Sequence, residues 1–194
     1  MRTVRIVLWV LVAVALAALG FAYLRQPPAE PHPTKTQISF GGPFVLVDSK
    51  GQPFASSRLT GKPYAMFFGF THCPDVCPTM LARLVKIRRQ MGQDQAFQIV
   101  FVTVDPERDG PTEVGRYTEL FGAPIIGLTG STAQIAQVKK EFGIFSEKVG
   151  TGDDYTVDHT ASVLLFDRAG QFQSTISPDE TDSAALAKLK RLTT

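Results

Sequence analysis
The chain has 194 residues, of which 44% are hydrophobic, and a formal net charge of +2. That length suits one well-packed domain and is too short for two of ordinary size. Arg2, Arg5 and Arg25 flank an apolar start, and the other 17 basic residues face 18 acidic ones, a balance that points to no nucleic-acid partner. Two cysteines are too few for a disulfide scaffold.

Residues 6–24 form a run of 19 without a charge or a strongly polar group. As a helix this run spans roughly 28 Å, close to the ~30 Å hydrocarbon core of a bilayer. Arg2 and Arg5 precede it, so the positive-inside rule keeps the N-terminus cytoplasmic and sends the remainder across. The competing reading is a cleaved signal peptide, because Ala15-Leu16-Ala17 resembles a small-residue cleavage site. The apolar run continues beyond Ala17 through Leu19, Phe21, Tyr23 and Leu24, which favours a retained anchor. Either way the rest of the chain is expected outside the cytoplasm. In a bacterium it would be tethered to the inner membrane by one span and face the periplasm. Residues 26–37 hold Pro27, Pro28, Pro31 and Pro33 and show no apolar periodicity, as in an extended, semi-rigid tether. His32 in this tether reads as solvated. The expected organisation is an anchor over 1–25, a linker over 26–37 and one globular domain over 38–194.

Within that domain, residues 43–47 and 52–54 read as a hairpin around the turn 48–51. Residues 64–70 are continuously apolar, as in a strand buried on both faces. The following helix places Met80, Leu84, Ile87 and Met91 on one face. Arg83, Lys86, Arg88 and Arg89 read as its wet side. A strand over 98–104, a helix over about 111–121 burying Val114, Tyr117 and Phe121, and a strand over 125–128 come next. Ser131 and Gln134 have capping-box spacing and open a helix to 142. Residues 161–166 and 171–175 make a closing hairpin, and a last helix covers about 182–192. The fold class is α/β, with a mixed sheet flanked by helices. Its order resembles a thioredoxin fold with an N-terminal hairpin, here preceded by a single transmembrane helix.

The chemistry concentrates at Thr71-His72-Cys73-Pro74-Asp75-Val76-Cys77-Pro78, which holds both cysteines in C-x-x-x-C spacing. Such a pair can close a disulfide or pinch a soft metal between two thiolates. Pro78 suits the first helical position, which puts Cys77 near the N-cap and Cys73 in the loop before it. Thiolates at a helix N-terminus are stabilised by its free N–H groups, so the pair is expected to be primed as thiolates. In such sheets, ligands gather at the carboxyl ends of parallel strands. Cys73 and Cys77 follow one strand, and Asp105-Pro106-Glu107-Arg108-Asp109 follows the next. His159 precedes the strand 161–166. If that strand is antiparallel to its neighbours, His159 reaches the same rim.

Two thiolates and an imidazole suit Cu(I), and with an added ligand could hold Cu(II). A structural zinc site wants four protein ligands. The plainer readings are a structural disulfide and a satisfied core histidine. His72 points away from Cys73 if the chain is extended there, so a structural or supporting role fits it better than ligation. Asp105 and Asp109 read as solvated loop carboxylates, as an acidic rim for a partner, or as groups that tune the charge of the site.

Three segments, 69–78, 104–109 and 155–160, resemble in sequence and order the SCO/SenC family of copper chaperones. The likeness extends to the anchor and linker. It implies a membrane-tethered protein with a thioredoxin-like fold that binds copper through Cys73, Cys77 and His159. It further implies a role in assembling the dinuclear copper centre in subunit II of cytochrome c oxidase, with copper supplied by a donor protein. The Asp-Pro motif falls on Asp105. The resemblance also implies an alternative, a thiol–disulfide reductase cycling Cys73–Cys77 against the oxidase cysteines or in redox signalling. A thiol peroxidase fits poorly, because Thr71 lies two residues before Cys73 rather than the three of the usual peroxidatic motif. The preferred reading is a metallochaperone rather than an enzyme.

Overall fold
A computed structural model describes residues 2–24, 40–92, 96–152 and 154–193. The chain divides into two units, Met1–Ile38 and Ser39–Thr194. The expected linker, with His32, lies outside the described residues. In the first unit, helix α1 runs Arg2–Leu24. Among the described residues no helix is long and apolar enough to cross a membrane. The anchor expectation therefore rests on the sequence of 6–24.

The second unit begins with the hairpin β1 (Val45–Asp48) and β2 (Pro53–Ala55). It continues through β3 (Tyr64–Gly69), α2 (Val76–Gln90), β4 (Gln98–Thr103), α3 (Pro111–Glu119), β5 (Ile126–Thr129) and α4 (Thr132–Glu141). A ribbon of β6 (Ser146–Val149) and β7 (Thr156–His159) follows, then β8 (Val163–Phe166), β9 (Phe172–Ile176) and α5 (Asp182–Thr193). The main sheet has the order β2-β1-β5-β4-β3-β8-β9. Strands β3, β4 and β5 are mutually parallel, and β8 is antiparallel to β3, as the sequence reading required.

The sheet is built on β3, whose six residues are all buried, consistent with an uninterrupted apolar run covered on both faces. Helix α2 buries Met80, Leu84 and Ile87 in the same core as this strand. Each such side chain stabilises the fold by about 1.5–3 kcal/mol. The capping box opening α4 is present. Ser131 Oγ accepts from the Gln134 N–H at 3.3 Å, and Gln134 Oε1 accepts from the Ser131 N–H at 2.9 Å.

Three expectations need correction. Helix α2 starts at Val76, so Pro78 is its third residue rather than its first. The first three N–H groups of a helix have no intrahelical partner, so proline costs nothing there, and the first i→i−4 bond is Thr79 N–H to Asp75 O at 3.1 Å. Next, two of the four basic residues on α2 are not on a wet face. Arg88 is 3% exposed and donates to the Pro124 carbonyl at 2.9 Å. Arg83 reaches Asp182 at 2.8 Å and also bonds the carbonyls of Ser177 and Glu180, which docks α5 onto α2. Finally, the β6–β7 ribbon was not expected at all. His159 ends β7 instead of lying in a loop before the closing hairpin.

Candidate metal centre
Strands β3 and β4 end side by side, joined by Val104 N–H to Gly69 O at 2.7 Å, and both continue into loops at the carboxyl edge. The loop after β3 carries Cys73 and leads into α2, whose second residue is Cys77. Gly69 makes this possible. A Cβ at that position would lie 2.9 Å from Cys77 Sγ and 3.0 Å from the Phe101 ring, so the sulfur packs directly on strand backbone.

Both cysteines are free and buried. The Cys77 N–H, one of the unpaired donors of the first helical turn, points to Cys73 Sγ at 3.4 Å. Cys73, rather than Cys77, thus takes the sulfur position favoured by the helix terminus. The Cys73 thiol is lowered to about 4, chiefly by the Cys77 thiol as hydrogen-bond donor. His159 and the N–H groups of Cys77 and Asp75 also lower it, while burial opposes. The same shared bond, together with burial, pushes Cys77 well above the usual thiol range. The two thiols are thus unequal in the metal-free pair, Cys73 being the one favoured as thiolate and Cys77 the one that holds its proton more tightly.

His159 arrives from the ribbon with Nε2 3.3 Å from Cys77 Sγ. Its Nδ1 lies 3.0 Å from the Thr160 carbonyl. A carbonyl only accepts, so Nδ1 carries a hydrogen, and Nε2 is the ring nitrogen that faces the sulfurs. The rings of Phe67 and Phe70 flank the imidazole at 6.0 and 5.8 Å. The donor atoms of Cys73, Cys77 and His159 all fall within 4.8 Å of one another. This is the one such metal-ligand group among the described residues. Two soft sulfurs and one nitrogen, largely shielded from water, form a set that can hold copper. His72 is turned outward, exposed, with Nδ1 3.1 Å from Thr71 Oγ1.

Asp105 and Asp109 do not form an acidic rim or a solvated loop. They are 1% and 0% exposed. Asp109 accepts from the Thr71 N–H at 2.9 Å, from Thr71 Oγ1 at 2.6 Å and from Thr103 Oγ1 at 2.7 Å, which ties the cysteine loop to the end of β4. Asp105 accepts from Arg108 Nε at 2.6 Å and from the Tyr155 hydroxyl at 2.7 Å. The sequence reading gave no separate role to Thr71, Arg108, Tyr155 or Gly69. The motif segments contain them, but the partners Asp109 for Thr71, Asp105 for Tyr155 and the Tyr155 carbonyl for Arg108 are distant in sequence.

Residues 32–194 match the SCO1/SenC family. The chain belongs to that family. This SCO1/SenC chain is 40% identical over 137 residues to the mouse mitochondrial SCO2 homologue, covering 68% of this chain and 53% of that protein, so it spans about half the length of that relative. It is 39% identical over 140 residues to a SCO2-like protein of Rickettsia prowazekii, covering 70% of this chain and 68% of the other. Among solved structures it is similar to copper-bound ScoI of Bradyrhizobium japonicum, with 43% identity and a TM-score of 0.72. That match covers 79% of this chain and 99% of ScoI. The thioredoxin-like expectation is met by this likeness and by the mixed sheet flanked by helices.

Proposed function
We propose that the protein is a membrane-anchored copper chaperone. In this reading Cys73, Cys77 and His159 bind one copper ion and pass it by ligand exchange toward the copper centre of subunit II of cytochrome c oxidase. The observation that carries this reading is the convergence of two sulfurs and one imidazole nitrogen within 4.8 Å from a loop, a helix and a ribbon. Membership in the SCO1/SenC family and the copper-bound state of the Bradyrhizobium relative support it. Two thiolate sulfurs and one imidazole without a fourth ligand favour Cu(I), and an acceptor's own sulfur or imidazole would supply the next ligand as the ion is passed on. The apolar run 6–24 would hold the protein in the membrane, with the copper domain on the non-cytoplasmic side.

A second reading is favoured by the unequal thiols. The Cys73 thiolate would attack an acceptor disulfide, and its departing sulfur would take up the Cys77 proton. Cys77 would then attack the mixed disulfide, leaving a Cys73–Cys77 disulfide and a reduced acceptor. Competition titration of the reduced full-length protein in detergent with a Cu(I) chelator tests the first reading. One ion per chain is expected for the wild type, with an affinity weaker by orders of magnitude in His159→Ala and lost once the cysteines are oxidised. Equal Cu(I) affinity in the wild type and His159→Ala would refute the three-ligand site.

A further inference from the structure
His159 sits on a ribbon outside the seven-stranded sheet, whereas the cysteines sit on a loop and a helix built on β3. The distance between imidazole and sulfur therefore depends on what fastens the ribbon to the sheet. The loop 105–109 is a rigid mount. The Asp105 N–H donates to Thr103 Oγ1 at 2.9 Å, the Asp109 N–H donates back to Asp105 O at 3.0 Å, and the Asp109 carbonyl accepts from Thr129 Oγ1 at 2.6 Å. Building on the copper reading above, we infer that Tyr155, clasped by Asp105 and Arg108 of this loop, is the positioning residue that sets His159 against the cysteines.

The clasp closes on itself. One oxygen of the buried Asp105 carboxylate takes the Tyr155 hydroxyl at 2.7 Å, and the other takes Arg108 Nε at 2.6 Å. Arg108 Nη1 returns to the Tyr155 carbonyl at 2.9 Å, and its guanidinium lies 3.6 Å from the centroid of the Tyr155 ring. Tyr155 is thus held at both its hydroxyl and its backbone, which a single contact would not achieve. Charge-assisted bonds to a carboxylate excluded from water are among the stronger polar contacts a fold can make. The neighbouring Lys148–Glu107 pair, at 2.6 Å, also bridges the ribbon to this loop, but its side chains are about half exposed and such a pair contributes little.

Tyr155 immediately precedes β7. Side chains alternate along a strand, so Tyr155, Val157 and His159 share one face. The burial pattern agrees, since Val157 is buried while Thr156 and Asp158 are exposed. Fixing Tyr155 therefore fixes the face on which His159 lies. The Arg108 guanidinium is also 6.0 Å from the ring of Phe70, which flanks the imidazole. Both halves of the ligand set contact one loop, with Asp109 bonding the cysteine side and Asp105 with Arg108 bonding the histidine side, while Lys139 Nζ also holds Ser146, the register partner of His159, at 2.6 Å. The imidazole is in this way placed before any ion arrives, so binding does not have to supply the ordering.

Tyr155→Phe removes only the hydroxyl bond, and Arg108→Gln removes both the carboxylate and the carbonyl contacts. In the metal-free full-length protein, both variants are expected to speed amide hydrogen exchange over 156–160 while leaving β3 as protected as in the wild type. Cu(I) affinity is expected to fall about tenfold in Tyr155→Phe, the lower end for loss of a group supporting a ligand, with no further fall when His159 is already alanine. Unchanged exchange of the ribbon in both variants would overturn the inference. So would exchange that rises equally in β3, or an equal copper loss in the His159→Ala background. If His159→Ala alone left copper affinity intact, the copper reading would fail, and the ribbon exchange would still decide whether the clasp holds the ribbon.

Discussion

Cys77 Sγ and His159 Nε2 lie 3.3 Å apart although 82 residues separate them in the chain. Copper carriage and disulfide chemistry both need the sulfurs, so this contact is what distinguishes them. A dithiol reductant works through one thiolate and a resolving sulfur, and imidazole is not obligatory. A carrier deprived of one of three ligands loads poorly. His159→Ala is therefore expected to lose assembly of the oxidase copper centre at low copper while still reducing a small-molecule disulfide at a substantial rate. Added copper should partly restore assembly. Normal oxidase activity at low copper in His159→Ala, with none in Cys73→Ser and Cys77→Ser, would end the chaperone reading.

Gly69→Ala tests the close approach of Cys77 to strand β3. The added methyl would meet Cys77 Sγ at 2.9 Å, the Phe101 ring at 3.0 Å and the Phe67 ring at 3.1 Å, all within a fully buried cluster. Overpacking of this kind costs about 1–3 kcal/mol. A lowered midpoint in urea unfolding is expected, accompanied by weaker Cu(I) binding because the clash bears on a ligand sulfur. A midpoint equal to that of the wild type would show that the strand yields easily there.

Much of this arrangement is legible in the sequence, because local signals mark it. The apolar run of β3, the Ser131–Gln134 cap and the cysteine spacing each report on a few adjacent residues. The direction of β8 is left open by the sequence and supplied by its antiparallel pairing with β3, and the rim position of His159 depends on it. The β6–β7 ribbon was missed because its exposed face is polar and its strands are short, so period-two alternation is hardly visible in Ser146-Glu147-Lys148-Val149. Asp105 and Asp109 were misread for a different reason. A carboxylate in an Asp-Pro loop looks solvated until its donors are known, and two of those donors, Thr71 and Tyr155, lie 38 and 50 residues away. The start of α2 was misplaced by two residues because proline is tolerated anywhere in the first turn, not only at its first position.

Asp109→Ala tests the mount on the cysteine side. Three donors converge on this carboxylate, which is 0% exposed, and the Thr103 hydroxyl among them is buried. Stranding buried donors costs about 1–3 kcal/mol each, and partial relaxation should leave a net loss of about 3 kcal/mol. Denaturant unfolding measures that loss. Asp109→Asn is expected to lose less, since its amide oxygen still accepts. Equal stability of Asp109→Ala and the wild type would show that the loop holds its shape without the carboxylate.

The apolar run 6–24 carries a prediction about topology. The protein is expected to resist alkaline carbonate extraction from membranes, with its C-terminal domain open to protease from the non-cytoplasmic side. Recovery of a soluble form beginning near Ala18 would favour cleavage over anchoring.

The unequal thiols predict how copper binding responds to pH. The Cys73 thiol, lowered to about 4, is ionised throughout the neutral range. Cys77 is shifted upward, so it keeps its proton there. An ion held by both sulfurs must displace that one proton. Bound and free states then differ by one proton, the free state holding more, so apparent affinity rises with pH. The expected slope is roughly tenfold per unit between about pH 7 and 8, with about one proton released per ion. Cys77→Ser has no such proton to give up and should bind weakly with a nearly flat profile. Titration in weakly buffered solution with a pH indicator counts the protons directly. Release of two protons per ion from the wild type would show that both thiols are protonated in the free protein, and release of none that both are already ionised.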